Sequence, residues 1–265
     1  MGKKKEAKKK YKKVIDINPN LAGAYNNWGL ALSYQRKYKE AIKKYKKAID
    51  INPNDGYAYN NWGEALLRQN KYEEAIKKFK KAININPNST RAYFLSAKAY
   101  FTWGIVLKDQ NKYKEAIKKL KKAIEINPNN GQAYNLWGLA LEELNNYKEA
   151  IKKYKKAIEI NPNDGQAYNL WGLALEELNN YKEAIKKYKK AIEINPNDAD
   201  TYYNWGQVLV TQKKYEEAIK IYKKAIEINP NHAFTYNNWG KALEAMGREK
   251  EAKKMFKKAE QLRRK

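Results

Sequence analysis

Seven prolines, Pro19, Pro53, Pro87, Pro128, Pro162, Pro196 and Pro230, follow one another at steps of 34, 34, 41, 34, 34 and 34 residues. Seven tryptophans, Trp28, Trp62, Trp103, Trp137, Trp171, Trp205 and Trp239, step identically. A fixed period of this size leaves few folds open, because a segment that short buries its apolar face only by stacking on a copy of itself. Residues 131–163 and 165–197 both read GQAYNLWGLALEELNNYKEAIKKYKKAIEINPN, by duplication or by design, and the sequence leaves that choice open.

Each repeat predicts two amphipathic helices. In the fourth, Tyr134, Trp137, Ala140 and Leu141 fall on one helical face, and after a turn at Asn145-Asn146 the residues Tyr147, Ala150, Ile151, Tyr154, Ala157 and Ile158 resume the spacing. Asn161-Pro162-Asn163-Asp164 then ends the second helix, since a residue before proline avoids the helical region, and supplies a cap for the next.

These residues resemble the tetratricopeptide repeat family over essentially the whole chain. In the fourth repeat the match is carried by Trp137-Gly138, Ala140, Tyr147, Ala150, Tyr154, Ala157 and Pro162. The chain departs from the family in placing tyrosine at the usual aromatic slot and tryptophan before glycine, where leucine is commoner. The resemblance implies an all-α fold, a right-handed superhelical α-solenoid of tandem 34-residue helix-turn-helix repeats forming one domain over 1–265. A lone second-type helix over 1–18 would precede repeats at 20–53, 54–87, 88–128, 129–162, 163–196 and 197–230. The last repeat, 231–265, would end in a polar cap. At the start Ala7, Tyr11, Val14, Ile15 and Ile17 make the inner face of that lone helix, so the lysines there read as a solvated face. At the end Ala252, Phe256, Ala259 and Leu262 keep the inner face while Lys253 and Glu260 replace the isoleucines that would meet a further repeat.

No catalytic constellation stands out. There is no cysteine, which removes thiolate chemistry and cysteine-bound metals. The single histidine, His232, lies in a loop between repeats, the glycines form no phosphate cradle, and adjacent pairs such as Glu142-Glu143 splay by about 100° on a helix. The expectation is a non-enzymatic chain with no cofactor and no metal. No apolar run follows the basic start, no 18-residue apolar stretch exists, and Gly2 lacks the Ser or Thr at position 6 that myristoylation needs, so a cytoplasmic protein without membrane insertion is expected.

The formal charge of +26 raises a nucleic-acid or anionic-surface partner. It divides by helix: residues 131–146 carry Glu142 and Glu143 and no lysine, whereas residues 147–160 carry five lysines against Glu149 and Glu159. The resemblance implies that first helices line a concave face and second helices a convex one, which puts the lysines outside. One reading makes them a solvated face braced by pairs such as Glu149 with Lys152; the other makes them an anion-binding stripe for nucleic acid or lipid headgroups, and non-specific nucleic-acid binding at low salt is expected in either case. Most tyrosines occupy core slots and offer no stacking platform on that face.

Two columns of residues precede the tryptophans. The slot two before holds Asn26, Asn60, Phe101, Asn135, Asn169, Tyr203 and Asn237, and the slot just before holds Asn27, Asn61, Thr102, Leu136, Leu170, Asn204 and Asn238. Family members with an asparagine ladder use it to hold extended peptide backbones, so the resemblance implies a protein-interaction scaffold gripping a peptide here. The slot two after tryptophan does not carry the asparagine of carboxylate-clamping members. Glu142, Glu143, Glu176 and Glu177 would attract basic side chains to the same groove. Self-association of the array is a further expectation.

The 41-residue step hides a seven-residue insertion within STRAYFLSAKAYFTWG. Seven residues are close to two helical turns, so the face returns to within about 20° and the helix lengthens by roughly 10.5 Å. The first helix of this repeat is expected to project, presenting Tyr93, Phe94 and Leu95 for a protein contact.

Overall fold

The computed structural model describes the backbone of residues 2–264 and the side chains of residues 10–264, so the inward place expected of Ala7 lies outside the described side chains. Among the described residues every regular element is an α-helix. They are α1 (Gly2–Ile17), α2 (Ala22–Tyr34), α3 (Tyr38–Ile51), α4 (Gly56–Leu67), α5 (Tyr72–Ile85), α6 (Thr90–Asp109), α7 (Tyr113–Ile126) and α8 (Gly131–Glu142). There follow α9 (Tyr147–Ile160), α10 (Gly165–Glu177), α11 (Tyr181–Ile194), α12 (Ala199–Thr211), α13 (Tyr215–Ile228), α14 (Ala233–Ala245) and α15 (Glu249–Arg263). They gather into two compact units, Met1–Asn129 and Asn130–Lys265.

The helix boundaries follow from local chemistry. Asp55, Asn130 and Asp164 each accept the backbone N–H three residues on, at 2.9, 3.1 and 3.0 Å, closing the exposed amides of a first helix. At the far end the chain reverses through one left-handed residue, Asn70, Asn111, Asn145 or Asn179, at φ between 56 and 59°. The residue after it returns its N–H to the helix, as Lys71 does to the Leu66 carbonyl at 3.0 Å. Within each pair the Trp-Gly glycine lets the second helix close in: a Cβ on Gly29 would lie 2.5 Å from Tyr45 Cε1. The ring that fills this slot is fully buried in most pairs, as Tyr45, Phe79, Tyr154, Tyr188 and Tyr222.

The expected inner faces of the two end helices need one correction. On α15, Ala252 and Ala259 are buried. On α1, Ile15 packs near Tyr25 and Ala48, but Val14 and Ile17 are exposed, Ile17 at 85 %. The stripe that meets α2 is Tyr11 and Ile15, one turn apart, and the other two fall beside it.

Helix α6 runs 20 residues where α4 runs 12. Its start copies the ordinary repeat: Ser89 accepts from Ala92 N–H as Asp55 does from Ala58. From there Leu95 and Ala99 pack into the cluster of Leu66, Ile76 and Phe79. Its end copies the repeat again, with Gly104 set against Leu120 of α7. The pairing with α7 therefore sits about two turns further along α6 than the pairing with α4. Trp103 is carried past the end of α4 and stacks on Tyr72, ring centroids 6.0 Å apart. Tyr93 and Phe94 stand exposed, Phe94 at 61 %, because α7 begins too late to cover them. Leu95 does not join them: at 4 % exposure it is core, since the first register of α6 aims it at α4 and α5.

Candidate functional site

The two asparagine columns bond to each other. Asn61 donates to Asn26 Oδ1 at 2.9 Å and Asn204 to Asn169 Oδ1 at 3.1 Å, so the slot just before tryptophan in one first helix reaches the slot two before it in the preceding first helix. Asn238 completes the pattern by donating to the Tyr203 hydroxyl at 3.1 Å, with Asn237 donating to Asn238 at 3.4 Å. Where the second partner is Leu170, Asn135 turns instead to Asp164 Oδ2 at 2.9 Å. Asn60, Asn61 and Asn135 are buried. The ladder expected to grip a peptide is thus mostly a row of stitches between neighbouring first helices, and Asn27 is the member that stands exposed. The offset between columns, which decides this, comes from how the helices slide past each other.

The four glutamates are differently placed. Glu143 and Glu177 are exposed at the ends of α8 and α10, while Glu142 and Glu176 lie half-buried one residue earlier. The Tyr188 hydroxyl donates to Glu176 Oε2 at 3.0 Å. In the preceding pair Glu142 Oε1 and the Tyr154 hydroxyl are buried without a hydrogen-bond partner. Burial pushes the Glu142 carboxyl up to about 7, and the charges of Glu143 and Glu177 add to the rise. Glu176 is raised for the same first reason. Burial next to these carboxylates raises Tyr154 and Tyr188 far above the ordinary phenol range.

The sequence holds a signal for this layout that a residue-by-residue reading passes over. Twelve residues before three of the buried tyrosine rings stands a polar partner, Ser33 for Tyr45, Glu142 for Tyr154 and Glu176 for Tyr188, whereas Leu67 stands before Phe79 and Val210 before Tyr222, whose hydroxyl is buried without a partner. The first of these closes at 3.0 Å between Ser33 Oγ and the Tyr45 hydroxyl, whose pKa burial raises to about 12.

Many lysines of the second helices are occupied. Lys122, Lys152, Lys156, Lys186, Lys190 and Lys224 pair with glutamates one turn away at 2.5–2.8 Å. Others fold over the tryptophans: Lys44, Lys78, Lys119 and Lys187 sit 3.5–3.8 Å from the indole centroids of Trp28, Trp62, Trp103 and Trp171. Burial lowers the pKa of Lys78, Lys119 and Lys187. Tryptophan and lysine do interleave, then, but with the rings already covered by the chain's own cations. His232 caps α14, its Nδ1 accepting the Thr235 N–H at 3.3 Å, and its Nε2 lies 3.2 Å from Asp200. No helix of the described residues is long and apolar enough to cross a membrane.

Family profiles described as "Tetratricopeptide repeat" match residues 22–55, 153–186 and 197–265, one described as "TPR repeat" matches 172–213, and one described as "Cytochrome c-type biogenesis protein H TPR domain" matches 47–168. No curated protein matches the sequence. Among solved structures, the chain is similar to MamA, with 29 % identity over 61 % of this chain and 94 % of that one and a TM-score of 0.56. It is similar also to YrrB, described as "a TPR protein with an unusual peptide-binding site", with 29 % identity, coverage of 72 and 95 % and a TM-score of 0.54. The C-terminal part of a repeat protein from Cytophaga hutchinsonii shares the fold at 19 % identity, with coverage of 89 and 94 % and a TM-score of 0.67.

Proposed function

The chain belongs to the tetratricopeptide repeat family, and on that premise we propose that it is a non-catalytic scaffold whose unit of residues 130–265 holds a basic, extended segment of a partner protein against its first helices. Family and structural likeness support a protein-interaction scaffold, and YrrB is described as peptide-binding. The observation that carries the finer reading is the pair of Glu-Glu steps, Glu142-Glu143 and Glu176-Glu177, set at the ends of α8 and α10, two helices without a lysine in a chain of charge +26. Buried Tyr154 and Tyr188 back the inner member of each step, so the outer carboxylates are fixed at rigid helix ends, Glu177 as the last residue of α10 and Glu143 as the cap that follows α8. An ammonium or guanidinium brought to this face also relieves the repulsion from Glu143 and Glu177 that adds to the effect of burial on Glu142.

Fluorescence anisotropy of the full chain with a labelled peptide of alternating lysine and glycine tests this. The overall field repels such a peptide, so any affinity it shows is local. Exchange of Glu143 and Glu177 for glutamine is expected to weaken binding by about fivefold, in line with exposed charge pairs of up to about 1 kcal/mol. A peptide that does not bind at about 0.05 M salt, or that binds the exchanged chain equally well, overturns the proposal.

A further inference from the structure

The slot that holds Glu143 and Glu177 in the second unit holds Arg68 in the first. The change of sign is local, since α6 of the same unit places Asp109 at that slot. Arg68 and the turn residue Arg36 meet Arg91, at the start of α6, on one cavity of about 550 Å3, with Tyr34, Asn61 and Glu64 in its wall. The chain has six arginines against 49 lysines, so three arginines at one cavity reflect a choice of side chain and not of charge alone.

Arg36 carries the argument furthest. It occupies the left-handed turn at φ 59°, where four other repeats place Asn70, Asn111, Asn145 and Asn179 and one places Lys213. Asparagine suits that conformation better than arginine does. It also does local work there, because its Oδ1 accepts from the tyrosine two residues on, at 3.0 Å for Tyr72 and 2.8 Å for Tyr113. Arginine at position 36 gives up both, and Tyr38 has no such acceptor. Nothing inside the chain repays this: among the described residues neither Arg36 nor Arg68 has a carboxylate partner. Arg91 does, donating to Glu64 at 2.7 Å and to Asn61 at 3.0 Å.

We propose that this cavity binds two carboxylates of an acidic, extended segment of a partner protein, one on the Arg36 guanidinium and one on Arg68, with the exposed Tyr34 ring flanking the segment. The Arg91–Glu64 pair, made through one guanidinium nitrogen, shows that a side-chain carboxylate is already held by an arginine at this cavity. Glu64 also favours single-charged carboxylates over a phosphate, whose double charge it repels while only two guanidiniums remain unspent. This rests on the reading that first-helix faces take extended segments, and assigns the first unit a ligand of opposite sign to that of the second.

The test is anisotropy of the full chain at about 0.15 M salt with a fluorescein-labelled peptide of alternating glutamate and glycine. The decisive variant is Arg36→Lys with Arg68→Lys, which keeps the net charge and removes only the forked donors. Lys43→Ala with Lys47→Ala removes two charges outside the cavity. The expected result is at least fivefold weaker binding for the arginine pair and less than twofold change for the lysine pair. Equal loss in both, or none in the arginine pair, means that the peptide reads the general positive field, and the proposal falls. Tighter, arginine-dependent binding of a phosphoserine-glycine peptide overturns the carboxylate assignment. If the glutamate peptide fails while the lysine-glycine peptide binds through Glu143 and Glu177, this inference alone is lost; if both fail, the reading of the first-helix faces falls with it.

Discussion

Gly29 sits where a methyl group would meet the fully buried ring of Tyr45 at 2.5 Å, and neither a helix backbone nor a ring in a closed slot yields freely. Gly29→Ala is expected to cost about 1–3 kcal/mol by urea unfolding. Gly23→Ala, in the same helix with nothing within 4 Å of its added Cβ, should instead gain up to about 1 kcal/mol from helix propensity alone. At Glu142 the chemistry turns on pH. A carboxyl raised from its ordinary 4.5 to about 7 keeps its proton across that window only when folded, so its contribution to stability is full below the window and is lost as pH rises through it. The loss is on the order of 3 kcal/mol. Glu142→Gln should therefore raise the urea midpoint at pH 8 and leave it nearly unchanged at pH 4. A variant whose gain is the same at both values would show that the carboxyl titrates normally.

At the scale of the helix, α6 separates two kinds of exposed-looking residue. Leu95→Ala should cost about 2–4 kcal/mol by the same unfolding, because it opens a hole among Leu66, Ile76 and Phe79, whereas Phe94→Ser should change stability by less than about 0.5 kcal/mol. Deleting residues 93–99 should still give a folded, helical chain by circular dichroism, since Val106 then takes the place of Ala99 as Val208 does in its own repeat. The helices themselves were legible in the sequence because the apolar period and the Asn-Pro-Asn stops agree with each other. The fate of Leu95 was not, because a seven-residue insertion keeps the helical face and leaves open which neighbour each half follows. The asparagine columns misled for a related reason: Asn61 and Asn26 meet only through the slide of α4 past α2, which no spacing within one repeat encodes. The cavity arginines come from three successive repeats, and only stacking brings Arg36, Arg68 and Arg91 together.

Across the molecule the formal charge of +26 is a standing strain on the compact state. The exposed Lys–Glu pairs one turn apart relieve it by a few tenths of a kcal/mol each. Raising sodium chloride from about 0.02 to 0.3 M screens both, and the unbalanced lysines outnumber the paired ones, so Tm is expected to rise by several degrees. A fall in Tm would mean that the pairs dominate. The doubled register of α6 has a further consequence for how such chains change length. A helix that follows one neighbour with its first half and another with its second works as a spacer that is counted in pairs of turns. An extra seven residues in another first helix would be absorbed with the Trp-Gly face turned by about 20°, while an extra five would swing it by about 140° and leave glycine and ring on opposite sides. Growth of this array by indel is therefore quantised, and α6 is the one place where a quantum has been spent.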